Sequence, residues 1–268
     1  MIFSNFGIVF FFYSYYFYIA LLKLYFGVRK FNRKNDDPRE ILLETNFIDS
    51  ADGSCLVGYG ETKVICTASI DENIPGWLKD KNSGWITAEY GMLPASTDSR
   101  NRRESKSGKQ SGRSVEIQRL IGRSLRSVVD LNKLSGYQII IDCDVIKADG
   151  GTRTASITGG FVALDLALKK LIKNHLLKNN PIKDFIAAIS CGIVNGDIMV
   201  DLDYSEDSIA DVDANFVIAR NSGFSELQIS GEEKTFTQED IVKMLEKSTT
   251  TAKKIFQIQE NVIKKTKI

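Results

Sequence analysis

The stretch KADGGTRTAS, residues 147–156, places two adjacent glycines and Arg153 between an apolar β-branched run and a long helical pattern. Glycine lets backbone N–H groups approach an anion, a helix N-terminus carries partial positive charge, and a guanidinium matches the geometry of phosphate. These residue types at one turn predict an anion site. A strand-to-helix turn that uses glycine and threonine for geometry and capping alone is the alternative.

The stretch DLDYSEDSIADVD, residues 201–213, crowds carboxylates at the end of an alternating strand pattern. Asp201 and Asp203 share one side of this strand, and Asp207, Asp211 and Asp213 follow in the turn. Like charges this close repel unless a proton or a cation neutralises them, and oxygen-only ligands suit Mg²⁺ or Mn²⁺. The cluster predicts a divalent cation site or, alternatively, an exposed acidic turn, and its spacing matches no calcium-binding loop.

The segment STDSRNRRESKSGKQSGR, residues 96–113, is rich in arginine and lysine, with glycine and serine between them. Its basic residues are Arg100, Arg102, Arg103, Lys106, Lys109 and Arg113, against Asp98 and Glu104. This composition predicts a cationic arm that binds a phosphate backbone with an affinity that falls as salt rises. Because no aromatic residue is interleaved, recognition would use backbone or shape rather than base stacking. A solvated mobile loop is the alternative.

Strand and helix patterns place these three groups in one α+β domain. The patterns predict hairpins over 54–70 and 185–204, a strand over 137–146, and helices over 114–134, from about Thr152 and at the C-terminus. Asn195-Gly196 between two alternating runs is the strongest of the hairpin signals. We therefore expect mixed sheets with packed helices and a βαβ crossover near the strand over 137–146.

The composition limits the class of protein. The chain has 268 residues, of which 43% are hydrophobic and 26% charged, and its formal net charge is +1. Such a chain can form a soluble globular protein with a sizeable core. A net charge near zero excludes a global basic field, so any affinity for nucleic acid must come from a local cluster. The four cysteines lie far apart without metal-ligand spacing, which predicts buried thiols in a reducing compartment.

Four stretches, in order, resemble successive motifs of the RNase PH family. They are GWITAEYGMLP (84–94), GKQSGRSVEIQRLIGRSLRSVVD (108–130), DCDVIKADGGTRTASITG (142–159) and GIVNGDIMVDLDYSEDSIADVD (192–213). The resemblance implies a ribosomal protein S5 domain 2-like fold, assembled as a homo-hexamer that is a trimer of dimers. It also implies a cytoplasmic, phosphorolytic 3′ to 5′ exoribonuclease. Such an enzyme trims extra nucleotides from tRNA precursors with inorganic phosphate and releases nucleoside diphosphates.

The resemblance also implies roles for individual residues. The phosphate site of the family carries over to Arg113, Gly151, Thr152 and Arg153, which makes inorganic phosphate the anion expected at the glycine turn. The catalytic and metal-binding carboxylates carry over to Asp207 and Asp213, with Mg²⁺ or Mn²⁺ as the expected cation. They would compensate charge during an in-line displacement. The basic residues of the segment 96–113 would hold the tRNA body outside the pocket.

Two departures from the family pattern lie close to these motifs. Ala95 stands where arginine is common, which predicts one weaker RNA contact, and Ala214 replaces a usual methionine beside Asp213. A non-catalytic RNA-binding ring subunit of the same fold is the alternative function, but loss of the phosphate arginines or of the aspartate pair would have marked it. Polynucleotide phosphorylase is a much longer, duplicated chain and does not fit this length.

The N-terminal residues differ in character from the rest of the chain. Residues 6–22 carry no charge, and residues 1–27 hold seven of the 15 Phe and five of the nine Tyr. A membrane anchor, which needs about 20 apolar residues, is one interpretation. The family usually begins with Met-Arg where this chain reads Val28-Arg29, so we expect residues 1–27 to be a mis-assigned start and 28–268 to be the catalytic domain. The mature N-terminus distinguishes the two interpretations.

Overall fold

A computed structural model describes residues 29–267 of the chain. Its strands are β1 Ile41–Thr45, β2 Gly53–Tyr59, β3 Thr62–Asp71, β4 Trp85–Met92, β5 Gln138–Lys147, β6 Ile186–Val194, β7 Asp197–Val200, β8 Val212–Ala219 and β9 Gly223–Gly231. Its α-helices are α1 Glu104–Ser107, α2 Gly112–Ser127, α3 Thr152–Lys173, α4 Tyr204–Asp207 and α5 Gln238–Lys265. No helix in the described range combines the length and apolar character needed to cross a bilayer. The expected start at Val28 and the charge-free run 6–22 lie outside the described residues.

Strands β1 to β5 form the first sheet, in the order β1-β2-β3-β5-β4. The β2–β3 hairpin turns at Gly60, whose φ of 56° suits glycine, so the hairpin predicted over 54–70 is confirmed. Strands β4 and β5 run parallel and are joined through α2, which confirms the βαβ crossover. The parallel pairing brings the carboxyl ends of both strands to one edge of the sheet, where the glycine turn follows β5.

Strands β6 to β9 form a second, antiparallel sheet in the order β7-β6-β8-β9. Asn195 and Gly196 have φ of 52° and 84°, as a type I′ hairpin requires, so this predicted hairpin is confirmed. Its second strand, predicted over 197–204, ends earlier, at Val200. The chain leaves the strand there because Asp201 takes a positive φ of 54° and its carboxylate binds Arg39.

Helix α3 packs against β2, β3 and β5 of the first sheet and β6 of the second. Its residues 154–168 are all buried. Gly159 permits close packing against β2, since a Cβ there would lie 2.5 Å from Val57 Cγ1. All four cysteines are buried free thiols, as predicted. Packing on both sides fixes the N-terminus of α3, and with it the glycine turn, between the sheets.

The helix predicted over 114–134 is shorter in the structure. Helix α2 ends at Ser127, and a separate 3-10 turn follows at Leu131–Leu134. Between them, Val129 forms an antiparallel bridge with Ile182. The helical spacing of apolar residues continues through this point, but a backbone pairing with a distant segment ends the helix.

Candidate active site

The glycine turn forms the N-terminus of helix α3. Gly150 and Gly151 have φ of 76° and 68°, and Gly151 caps the helix without a side-chain hydrogen bond. A Cβ on Gly150 would lie 2.6 Å from the carbonyl oxygen of Leu202, so only glycine fits there. The first turn of α3 contains no acidic residue. Its N–H groups, together with the positive end of the helix dipole, therefore suit an anion.

Thr152 and Arg153 are held by side chains from different parts of the fold. The Thr152 hydroxyl shares a 2.8 Å hydrogen bond with the hydroxyl of Tyr90, which is buried in β4. Arg153 donates from Nη1 to Gln228 Oε1 at 3.2 Å, and the same nitrogen lies 3.6 Å from Glu116 Oε1. The first sheet thus orients the hydroxyl, while β9 and α2 orient the guanidinium.

Arg113 extends from the first turn of α2, which Ser111 caps through its side chain, and it is exposed. Within residues 29–267 its guanidinium makes no hydrogen bond or ion pair. Burial raises the pKa of Tyr90, and the charges of Arg113 and Arg153 oppose this rise. Both guanidinium groups therefore lie near the Tyr90 hydroxyl. Arg113, which lies about 40 residues before Thr152 and Arg153 in the sequence, therefore comes close to them in the fold.

Asp207 and Asp213 lie beside these arginines. Asp207 ends α4, and Asp213 is the second residue of β8. Burial raises the pKa of Asp207, against the opposing charges of Arg113, Arg153 and Arg39. Burial and then the charge of Asp207 raise the pKa of Asp213 to about 6. Asp213 is therefore within electrostatic range of Asp207 and Arg153, and Asp207 is within range of both Arg113 and Arg153.

Buried ion pairs hold the turn that carries Asp207. Arg39 binds Asp201 twice, from Nη2 to Oδ1 at 2.7 Å and from Nε to Oδ2 at 3.0 Å. Arg29 binds Glu206 twice, at 2.7 and 2.9 Å. Glu206 directly precedes Asp207, so the N-terminal segment fixes the position of this carboxylate through the ion pair.

The acidic cluster predicted over 201–213 is thus only partly available for a cation. Asp201 is neutralised by an arginine, Asp203 caps α4, and Asp211 pairs with Lys234 at 2.9 Å. Of the five aspartates in the cluster, Asp207 and Asp213 form no ion pair within residues 29–267. The two remaining carboxylates are the ones that the resemblance selects.

The basic segment 96–113 borders a cavity of about 480 Å³ next to Arg113. Arg102 and Arg103 line this cavity together with Tyr90 and Met92 of β4. The other basic residues predicted to bind RNA, Arg100, Lys106 and Lys109, are exposed and lie outside the lining. The structure therefore brings two of the five predicted residues to the cavity that Arg113 also lines and leaves three on the surface outside its lining.

The same segment is more ordered than a free cationic arm. It contains the short helix α1, and Glu104 of this helix reaches the start of α2. One Glu104 oxygen accepts hydrogen bonds from the Ser114 hydroxyl at 2.7 Å and from the Ser111 N–H at 3.2 Å. Because Arg113 lies in the same turn of α2, these bonds fix the segment relative to Arg113.

Sequence reasoning missed three polar side chains of this site: Tyr90, Asn215 and Gln228. Asn215 Nδ2 donates hydrogen bonds of 3.3 and 3.4 Å to the two oxygens of Asp213. Asp213 and Asn215 share one face of β8, and the register pairs Asn215 with Gln228. Strand alternation could have placed both amides beside Asp213, whereas nothing local links Tyr90 to Thr152.

Two family models match the chain. The model described as 3′ exoribonuclease family, domain 1, matches residues 37–169, and domain 2 of the same family matches residues 184–251. Ribonuclease PH of Neisseria meningitidis serogroup C is 53% identical over 234 residues, which cover 87% of this chain and 97% of that protein. Ribonuclease PH of Neisseria gonorrhoeae is 52% identical over 232 residues, which cover 87% and 96%.

Solved structures share the fold. Rice Rrp46 matches with a TM-score of 0.69 at 19% identity, covering 88% of this chain and 100% of that one. A chain of the Archaeoglobus fulgidus exosome with RNA bound to the active site matches with a TM-score of 0.75 at 23% identity, covering 88% and 94%. These matches confirm the α+β fold of mixed sheets with packed helices. From the family models and the relatives above 50% identity, the chain belongs to the RNase PH family and is a phosphorolytic 3′ exoribonuclease of tRNA processing.

Proposed function

We propose that inorganic phosphate binds between Arg113 and the N-terminus of α3 and attacks the RNA there. The observation that carries this proposal is that Arg113, without an ion pair of its own in the described chain, lies together with Arg153 within electrostatic range of Tyr90 and Asp207. The N–H groups of the glycine turn at Gly151, the Thr152 hydroxyl and two guanidinium groups are the kinds of donor that phosphate accepts.

The reaction is an in-line displacement at the last phosphodiester bond. One oxygen of the bound phosphate forms a bond to the phosphorus of that linkage, and the bond from this phosphorus to the 3′-oxygen of the preceding nucleotide breaks. The products are a nucleoside 5′-diphosphate and an RNA shorter by one nucleotide. Arg113 and Arg153 compensate the negative charge on the reacting groups. The leaving 3′-oxygen takes up the proton that the attacking hydrogen phosphate gives up, so the step needs no other proton source.

We also propose that Asp207 and Asp213 hold one Mg²⁺ or Mn²⁺ ion. The donor set fits such a cation, because two carboxylates whose pKa values are raised by burial and, for Asp213, by the neighbouring charge are stabilised by positive charge. No group of three or more carboxylate, histidine or cysteine ligands exists within residues 29–267. Water and phosphate oxygens would complete the coordination, as Mg²⁺ commonly requires. When bound, the ion supplies Lewis-acid compensation of the charge on the reacting phosphoryl group.

We propose that the basic segment holds the phosphate backbone of tRNA precursors. Arg102 and Arg103 line the cavity beside Arg113, and the three further basic residues are exposed next to it. Removing one backbone contact lowers the slope of log affinity against log salt by about 0.7 to 0.9. The affinity of Arg103→Ala for tRNA, measured from low to high salt and compared with that of the parent chain, tests this contact. A slope of log affinity against log salt equal to that of the parent would contradict it.

We propose that the protein works in the cytoplasm as a homo-hexamer, a trimer of dimers. Similarity to chains of two archaeal exosome structures, one of them an exosome core at a TM-score of 0.68 and 21% identity, supports assembly with further subunits. Four buried free thiols suit a reducing compartment. Light scattering of the purified chain over a range of concentrations tests the assembly, and a monomer at every concentration would contradict it.

The decisive experiment measures nucleoside diphosphate release from a tRNA that carries extra 3′ nucleotides, with and without inorganic phosphate. The chain from residue 28 should release diphosphate only when phosphate is present, and Asp207→Ala should release almost none. Asp197→Ala is the matched control, because Asp197 is exposed in the second sheet away from the site. Release of nucleoside monophosphate in the absence of inorganic phosphate would indicate a hydrolase. Binding of the tRNA without release of any nucleotide would indicate a non-catalytic ring subunit.

A further inference from the structure

The two tryptophans of the chain, Trp77 and Trp85, form a pair on the surface. Trp77 lies in the 3-10 turn Gly76–Leu78, and Trp85 is the first residue of β4. Their ring centroids are 4.8 Å apart, with the planes at 86°, so the edge of one ring faces the other. Trp77 is 55% exposed, although tryptophan is highly buried on average.

Two cations flank this pair, and together with it they form what we call the tryptophan patch. The Arg126 guanidinium lies 4.3 Å from the ring centroid of Trp85 and donates from Nη1 to the carbonyl oxygen of Ile86 at 2.7 Å. Lys81 Nζ lies 5.6 Å from the ring centroid of Trp77. The patch thus offers an exposed aromatic face bordered by positive charge, the combination that binds unpaired nucleotides by stacking and phosphate attraction.

The patch is held by groups other than the exposed Trp77 indole. Leu78, the next residue, is only 2% exposed and anchors the turn in the core. Backbone bonds from Leu78 N to Pro75 O at 2.8 Å and from Lys81 N to Leu78 O at 2.8 Å close the turn. The backbone of the turn is thus closed by other groups, and the part of the Trp77 indole that does not contact Trp85 is accessible to a ligand.

We infer that the tryptophan patch binds an unpaired stretch of the RNA substrate away from the 3′ end that is being shortened. This inference rests on the proposed function, since it requires an RNA substrate. It supplies the base stacking that the basic segment 96–113 lacks, because no aromatic residue lies in that segment. Strand β4 leads from the patch at Trp85 to the cavity at Met92, a distance of about 23 Å along the strand. Several nucleotides are needed to reach both places, so RNA length decides whether the patch contributes.

Intrinsic fluorescence gives a direct test, because Trp77 and Trp85 are the only tryptophans. A single-stranded oligoadenylate of about twenty nucleotides, added without phosphate so that no turnover occurs, should quench the emission in a saturable manner. Trp77→Ala should lose most of this quenching and bind the oligonucleotide on the order of 10-fold more weakly. Trp77→Phe, which keeps an aromatic face, should retain most of the affinity. Phe224→Ala removes another exposed aromatic side chain, from β9, and should change nothing.

Kinetics separate this inference from the proposed function. With phosphate present, Trp77→Ala should raise KM for the long oligonucleotide on the order of 10-fold and leave KM for phosphate and the turnover of a trinucleotide unchanged. Equal KM values of parent and variant for the long RNA would overturn the inference while leaving phosphorolysis intact. Failure of the parent to cleave even the trinucleotide would instead overturn the proposed function. If Trp77→Ala alters the mass of the assembly but not RNA affinity, the patch contacts a second copy of the chain, and the inference is wrong.

Discussion

Two sets of arginines approach the turn that carries Asp207, and they differ in their partners. The side chains of Arg29, Arg33 and Arg39 are 6% exposed or less, and each binds a buried carboxylate. Arg113 is exposed and has no ion pair in the described part of the chain. Arg153 donates to the neutral amide oxygen of Gln228 at 3.2 Å and lies 3.6 Å from the Glu116 carboxylate. The first set is charge-compensated by buried carboxylates, whereas in the second set Arg113 has no ion pair within residues 29–267 and the only carboxylate that pairs with Arg153 is the exposed Glu116.

This difference separates the charges that hold the fold from those that can bind a ligand. A compensated buried pair attracts no external ion, and breaking it leaves an unpaired charge in the interior. Uncompensated guanidinium groups at the surface cost little solvation and can bind phosphate in two-pronged geometry. Glu206, bound to Arg29, directly precedes Asp207. The compensated set therefore positions the carboxylate that works with the uncompensated set.

The largest effect should come from breaking a compensated pair. Asp201→Asn keeps the size of the side chain and suits the positive φ of 54°, but leaves the Arg39 guanidinium buried without its counter-charge. We expect the free energy of unfolding to fall by about 3 to 5 kcal/mol, measured by urea denaturation at one protein concentration. Glu239→Gln, which removes an exposed helix pair with Lys243, is the control and should have no measurable effect. Unchanged stability of Asp201→Asn would mean that the pair is not what holds this turn.

Removing an uncompensated arginine should affect activity and leave stability intact. Arg113→Ala should lower kcat/KM for phosphate by about 100- to 1,000-fold, because a preorganised donor to the reacting phosphate is lost. Its unfolding midpoint should match that of the parent within error. Arg123→Ala removes an arginine from the same helix that instead pairs with Glu226, and its phosphate kinetics should not change. A lower unfolding midpoint for Arg113→Ala would show that Arg113 stabilises the fold, as the buried arginines do, and would contradict this prediction.

The Asp213 carboxyl should destabilise the folded chain at neutral pH. Burial and the charge of Asp207 raise its pKa to about 6 from an ordinary value of 3.8, so the folded state binds the proton more tightly than the unfolded state. Stability should therefore fall as the pH rises from about 4 to 6 and stay lower above that range. Asp213→Asn should be about 1 to 3 kcal/mol more stable than the parent at pH 8 without divalent cations. The difference should vanish below pH 4, and a difference that persists there would have another cause.

The parts of the fold that the sequence predicted correctly depend on local signals. The turns at Gly60 and Asn195-Gly196 need positive φ values, which glycine and asparagine supply, and the start of α3 follows from the glycine turn. The two errors have distant causes. Strand β7 ends at Val200 because the next residue, Asp201, binds an arginine 162 residues earlier, and α2 ends where Val129 pairs with Ile182. Contacts between residues this far apart leave no mark on local periodicity.

In the candidate site, too, the sequence shows what depends on neighbouring residues and does not show what depends on distant contacts. The glycine turn, the basic segment and the acidic cluster were recognisable because each gathers its residue types within a few positions. Which carboxylates of the cluster lack counter-charges could not be predicted, because Arg29 and Arg39 neutralise Glu206 and Asp201 across the fold. The hydrogen bond between Tyr90 and Thr152 could not be predicted either, because it joins residues that are far apart in the sequence. Residue types thus indicated the chemistry, and the tertiary contacts decided which members of each group are free for it.

The smallest effect should come from the hydroxyl that orients Thr152. Two buried tyrosines of the first sheet bind threonines of α3: Tyr90 binds Thr152 at 2.8 Å in the site, and Tyr59 binds Thr158 at 2.9 Å in the core. Tyr90→Phe should raise KM for phosphate about 3- to 10-fold, with kcat within about twofold, because a positioning hydrogen bond of ordinary strength is lost. Tyr59→Phe loses a similar bond and should lower stability without changing KM for phosphate. Equal KM changes in both variants would show that general loosening of α3, rather than the position of the Thr152 hydroxyl, controls phosphate binding.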